Sequence, residues 1–160
     1  MSISTGSNMP TGSFGVMAES GPGQVSTDDL FKGKKVVLVS VPGAFTPTCS
    51  KGHLPGYIGH ADELASKGVD TIAFMAVNDV FVMDAWGKDR GVGDKVMMLA
   101  DGNGDYAKAL GLDFDASAHG MGVRGQRFAI VVDDGIATHV AVEAAGEFDV
   151  SKAESILGTL

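Results

Sequence analysis

The sequence predicts an α/β fold, a mixed β-sheet flanked by helices, on three observations. Apolar, β-branched runs alternate with helical stretches through residues 36–110, an order that lays parallel strands side by side under helices. Near the C-terminus two strand-like runs, residues 127–133 and 138–143, are joined by Asp134-Gly135, the pattern of a tight hairpin. No repeat, linker or shift of composition divides the chain, so residues 14–160 are expected to form one domain.

Residues 1–13, rich in Ser, Gly and Thr, are expected to be disordered. Residues 14–17 predict a short strand and 19–24 a turn, and Ser26 caps a short helix through Phe31 that stops at Gly33. Residues 36–41 are continuously apolar and β-branched, hence a strand covered on both faces, which Pro42 and Gly43 end. A helix then starts at residues 46–49 and runs to Lys67, disturbed at Pro55-Gly56 and closed by Gly68. Residues 69–77 form a second buried strand. Asp79 caps a helix carrying Phe81, Val82, Ala85 and Trp86 that ends near Gly91. A third strand at 95–99, a short helix at 105–110 and the hairpin follow, and Ser151 caps a last helix.

A net charge of −8 and a pI near 4.7 leave no basic field for phosphate, which argues against nucleic-acid and anionic-membrane partners. No window approaches the roughly 20 apolar residues of a membrane span. The single cysteine excludes an internal disulfide, and the first residues lack the basic-then-apolar pattern of a signal peptide. A cytoplasmic location is expected.

The informative segment is Val41-Pro-Gly-Ala-Phe-Thr-Pro-Thr-Cys-Ser50, which leads from a buried strand into the first turn of a helix. Free backbone N–H groups and the positive end of the helix dipole converge at such a junction. They favour an anionic sulfur, and the thiolate is the reactive form of cysteine. Pro42 and Pro47 stiffen the approach, and the Thr46 hydroxyl, one turn before Cys49, can face the sulfur. A lone cysteine is most often an inert, buried small side chain. Here it lies in a Pro/Thr-dense junction instead of an apolar periodic run, which points to chemistry.

The spacing Pro42-x-x-x-Thr46-x-x-Cys49 resembles the active-site signature of peroxiredoxins. The longer string PGAFTPTCS, followed by Lys51 and His53-Leu-Pro-Gly56, resembles the type II (peroxiredoxin-five-like) subfamily, here as a one-cysteine variant. Val77-Asn-Asp79, Ala85-Trp86-Gly87, Leu99-Ala-Asp101 and Gln126-Arg-Phe128 extend the similarity in order, from about Val25 onward. The resemblance implies a thioredoxin-like fold and a thiol peroxidase acting on hydrogen peroxide and alkyl hydroperoxides, with no metal or organic cofactor. It implies Cys49 as the nucleophile, Thr46 as the hydroxyl that orients the peroxide, Pro42 as a shield of the oxidised sulfur, and Arg127 as the charge completing the site.

Arg127 can also be read independently. The chain has three arginines. Arg90 lies in a polar, Gly-rich stretch and reads as solvated surface. Arg127 begins a long apolar strand, where a charge needs a specific partner, and its fork could hold two peroxide oxygens. Arg124 is the second candidate, with a surface ion pair as its plainer role. His53, one helical turn after Cys49, could form a protease-like Cys–His pair, but nothing downstream resembles the rest of such a site, and packing on the helix is the plainer reading. His60, His119 and His139 show no metal-ligand spacing.

Relatives commonly complete the cycle with a resolving cysteine. At the two places where the family carries it, this chain has Phe74 and the stretch Glu147-Phe-Asp-Val-Ser151. Turnover therefore needs an external thiol, glutathione with or without glutaredoxin first and thioredoxin second. The family also implies a homodimer. Two other readings use the same site or scaffold: a peroxide sensor that relays oxidation to a partner protein, and a non-catalytic binding domain.

Overall fold

The computed structural model describes residues 2–160. Its first elements are β1 (Ser13–Ala18), β2 (Gly21–Ser26), α1 (Thr27–Phe31) and β3 (Lys35–Ser40). The expected turn at 19–24 is largely strand: β2 pairs antiparallel with the whole of β1, leaving Glu19-Ser20 as the bend. As an edge strand, β2 tolerates Pro22 and its glycines, because a missing N–H on the outer side breaks no ladder bond. Ser26 caps α1 as expected, its hydroxyl accepting from Asp29 N at 3.1 Å.

After β3 the helical path starts at Pro47 and widens into a π turn over Cys49–His53. It continues as α2 (Leu54–Gly59) and resumes beyond His60 as α3 (Ala61–Ser66). One helix disturbed at Pro55-Gly56 was expected; the disturbance instead lies on either side of that pair. Pro55 has no N–H to give the Lys51 carbonyl and its ring crowds that oxygen, so the ladder upstream loosens and Leu54 N reaches back to Cys49 O. There follow β4 (Thr71–Ala76), α4 (Val80–Arg90) with the Asp79 cap, β5 (Met97–Ala100) and α5 (Asp105–Leu110).

A small hairpin, β6 (Asp113–Asp115) with β7 (Val123–Gly125), was not anticipated, since three-residue strands are too short to show a period. The larger hairpin is β8 (Phe128–Asp133) and β9 (Ile136–Val142). The last helix, α6 (Ala153–Leu157), begins after Lys152; Ser151 does not cap it but donates its hydroxyl to Glu143 at 2.6 Å.

The strands form one mixed sheet ordered β2-β1-β5-β4-β3-β8-β9, with β3, β4 and β5 parallel and the rest antiparallel. The α/β reading is thus borne out. Alternate residues of β3 feed two cores: Val36 and Leu38 pack with Phe31, Leu110 and Phe128, whereas Val37 and Val39 pack with Leu54, Leu64, Phe74, Trp86 and Ile156. Cys49 belongs to the second. The expected disorder of residues 1–13 is not what the structure shows over 3–9. Gly6 N donates to Ala137 O (2.7 Å), Met9 N to Gly135 O (2.8 Å), and Ala137 N to Ser7 O (2.9 Å). The free edge of β9 offers backbone partners that polar composition alone does not reveal.

Candidate active site

The chain leaves β3 at Ser40 and turns sharply before entering the helix. Phe45 takes φ 66°, a left-handed conformation costly for an aromatic residue. The turn is held from outside and within: Ala44 N donates to Asn78 Oδ1 at 2.9 Å, and Thr46 Oγ1 donates to Gly43 O at 2.7 Å. Gly43 sits in a tight place, because a Cβ would lie 3.2 Å from the Thr46 methyl and 3.4 Å from Arg124 Nη1, so either side chain would have to shift slightly. Cys49, in the first helical turn, is fully buried, so its sulfur meets only what the fold places against it.

Two side chains converge on that sulfur. Thr46 Oγ1 lies 2.7 Å from Sγ, and Arg127 Nη2 donates to Sγ at 3.1 Å. One hydroxyl proton cannot serve both Gly43 O and the sulfur. With a thiol, Thr46 donates to Gly43 and its lone pair receives the S–H; with a thiolate, its proton turns to the sulfur. The arrangement therefore accepts either form of the sulfur. Pro42 stands half-buried at the end of β3, seven positions before the cysteine.

His53 is the residue whose role the sequence reading missed. It does pack, its ring 5.0 Å from Phe148, 5.5 Å from Phe74 and 5.6 Å from Tyr57. It also bonds at both nitrogens, with Nε2 3.0 Å from Ser151 O and Nδ1 2.8 Å from Arg127 Nη1. A carbonyl can only accept, so Nε2 carries the proton and bare Nδ1 accepts from the guanidinium. The spacing one turn after Cys49 was the available signal; its partner came from the residue just before β8, 74 residues away. Burial first, then the Arg127 charge, push His53 from 6.5 down to about 4, outweighing the Ser151 bond and Glu143, which act the other way.

That depression has a consequence for acid stability. The unfolded chain takes up the His53 proton as pH falls through 6.5, whereas the native state resists it down to about 4. Native stability attributable to His53 is thus present above 6.5 and lost between 6.5 and 4, a change on the order of 3 kcal/mol. Urea unfolding at stepped pH should show that slope, and His53→Gln should flatten it; an unchanged slope would rule out the buried, neutral histidine.

Glu143 supports the same corner. Its Oε2 accepts from Asp149 N (2.7 Å), Ser151 N (2.8 Å) and Ser151 Oγ (2.6 Å). Burial acts against the charged carboxylate, but these bonds outweigh it and hold Glu143 below its ordinary range. The loop so pinned lays Phe148 against Gly52 and under the Arg127 guanidinium, 5.8 Å from the ring centre. Arg124 points elsewhere, donating to Met121 O (2.9 Å) and Val77 O (3.1 Å), and so ties a loop beside Gly43 without reaching the sulfur. Arg90 pairs with its neighbour Asp89. Among the described residues, no cluster of His, Cys, Asp and Glu could hold a metal ion, and no helix is long and apolar enough to cross a membrane.

Comparison with known proteins places this geometry. The Redoxin family model matches residues 4–157. Peroxiredoxin-2C of Arabidopsis thaliana is 48% identical over 99% of this chain and 98% of its own. The chloroplastic Peroxiredoxin-2E of the same plant is 46% identical, over 99% of this chain and 70% of its own. Among solved structures, reduced Prx3 of Vibrio vulnificus in complex with hydrogen peroxide superposes with a TM-score of 0.95 at 48% identity, covering 98% of each chain. A Burkholderia cenocepacia structure described as a candidate thioredoxin reductase superposes at 0.97 with 46% identity, covering 100% of this chain and 99% of its own. With one cysteine, the present chain cannot build an internal dithiol centre.

Proposed function

This chain belongs to the redoxin family as a peroxiredoxin, a thiol-dependent peroxidase on a thioredoxin-like fold, and from that premise we propose that Cys49 is its peroxidatic residue, served by Thr46, Pro42 and Arg127. The observation that carries the assignment is the double approach to one buried sulfur, Thr46 Oγ1 at 2.7 Å and Arg127 Nη2 at 3.1 Å.

The Cys49 thiolate attacks one oxygen of R–O–O–H along the O–O axis. An S–O bond forms, the O–O bond breaks, and its electron pair leaves on the departing oxygen, which takes a proton as the alcohol or water. Cys49 becomes a sulfenic acid. The developing negative charge forms beside Arg127 Nη2, a cationic donor already placed on the sulfur. Thr46 turns its proton between Gly43, sulfur and peroxide, and Pro42 limits access to the oxidised sulfur.

The same proposal names the reductant. Phe74 is a buried core residue of β4, and Phe148 fills the loop where a resolving cysteine could otherwise stand. Glutathione, with or without glutaredoxin, attacks the sulfenic acid to give a mixed disulfide and water; a second thiol releases reduced Cys49. Thioredoxin is the second candidate. A cytoplasmic location and a homodimer through the surface beside the site, where Phe45 and Phe81 are 49% and 63% exposed, complete this reading. Peroxide consumption measured in parallel with glutathione, glutathione plus glutaredoxin, and thioredoxin should show steady turnover, fastest with the glutathione system. A single stoichiometric turnover with every donor would instead make the protein a sensor that hands its oxidation to a partner.

A further inference from the structure

The Arg127 guanidinium faces the sulfur without a counter-ion: among the described residues none forms an ion pair with it. Two of its nitrogens are nonetheless placed, Nη2 on Cys49 Sγ at 3.1 Å and Nη1 on His53 Nδ1 at 2.8 Å. A carboxylate in the place of His53 would bind the fork more tightly but cancel the charge that the thiolate and the departing oxygen use. A neutral acceptor aims the fork and leaves the charge whole.

The histidine is neutral and correctly oriented because of what lies behind it. Ser151 O accepts from His53 Nε2 (3.0 Å) and from the Tyr57 hydroxyl (2.7 Å), which fixes the proton on Nε2 and presents Nδ1 as an acceptor. Ser151 is itself held by Glu143 through its N–H and hydroxyl. The π turn carries Cys49 and His53 on one face, so both meet the arginine that enters from the start of β8.

We propose that His53 is a positioning residue for peroxide reduction, an uncharged acceptor that holds Arg127 on the Cys49 sulfur. This rests on Arg127 serving the sulfur, as proposed above.

Two substitutions divide the contacts of the ring. In His53→Asn the amide oxygen lies near the place of Nδ1 and can still accept from Arg127, but nothing reaches Ser151. In His53→Gln the amide extends to the place of Nε2 and can still donate to Ser151, but Arg127 loses its acceptor. Both give up ring packing, so both should lose stability. The readout is the second-order rate of Cys49 oxidation by hydrogen peroxide in a single turnover, followed by the fluorescence of Trp86, which donates to Ser50 Oγ next to the cysteine at 2.9 Å. We expect His53→Asn to stay within about 3-fold of wild type and His53→Gln to fall by roughly 10-fold or more, since small misplacement of a reacting group has large kinetic cost. In the Arg127→Ala background, His53→Gln should add no further slowing.

A slow Arg127→Ala protein with a wild-type rate in His53→Gln overturns the role of His53 alone. So do equal losses in the Asn and Gln variants that track thermal stability, or a further loss in the double variant. A wild-type rate in Arg127→Ala overturns the underlying site assignment, and this inference with it.

Discussion

Cys49→Ser should consume no peroxide above the uncatalysed rate with any thiol donor, while unfolding at a temperature close to that of the wild type. Sulfur is the group that can accept an oxygen atom and be restored by another thiol; a serine hydroxyl has no such oxidation ladder and is scarcely ionised near neutral pH. The fold should tolerate the change because the new hydroxyl meets Thr46 Oγ1 and Arg127 Nη2 where the sulfur did, so no polar group is left unpaired in a fully buried position. Oxygen-electrode or dye-coupled assays with thermal melts on the same preparations decide the matter. Substantial steady turnover in a folded Cys49→Ser protein would remove the chemistry from this site altogether.

Arg127→Ala should slow the oxidation step by about 100-fold, equivalent to about 2.7 kcal/mol of barrier, the lower end for deleting one preorganised donor at a developing anion. The half-buried position of the arginine supports that lower figure, because water can partly replace it. Stability should drop as well, by about 1–3 kcal/mol, since His53 Nδ1 is left as a buried acceptor without a donor. Arg127→Lys should recover only part of the rate: it restores the charge, but a single ammonium cannot reach sulfur and His53 as the fork does. Stopped-flow oxidation rates test all three proteins. A wild-type rate in Arg127→Ala would exclude its role at the sulfur.

Local chemistry was legible in the chain. Apolar β-branched runs marked β3, β4 and β8, because burial on both faces writes a continuous pattern; Ser26 and Asp79 marked helix starts, because a cap lies within three residues of the N–H it serves. The junction from Pro42 to Cys49, with Thr46 one turn ahead, was likewise readable, being a single short stretch of backbone. The N-terminal segment was misread because its partners belong to the edge of β9, more than a hundred residues on.

The lone cysteine and its entry into a helix were therefore determined by the sequence itself. Tertiary structure alone decided how the sulfur is served. Arg127 reaches it across 78 residues, and the acceptor that aims Arg127 is itself oriented by a carbonyl 98 residues away. A short-range pattern records what a side chain does within a turn or a strand; which distant group it meets depends on how β8, the π turn and the loop before α6 pack against the same sheet.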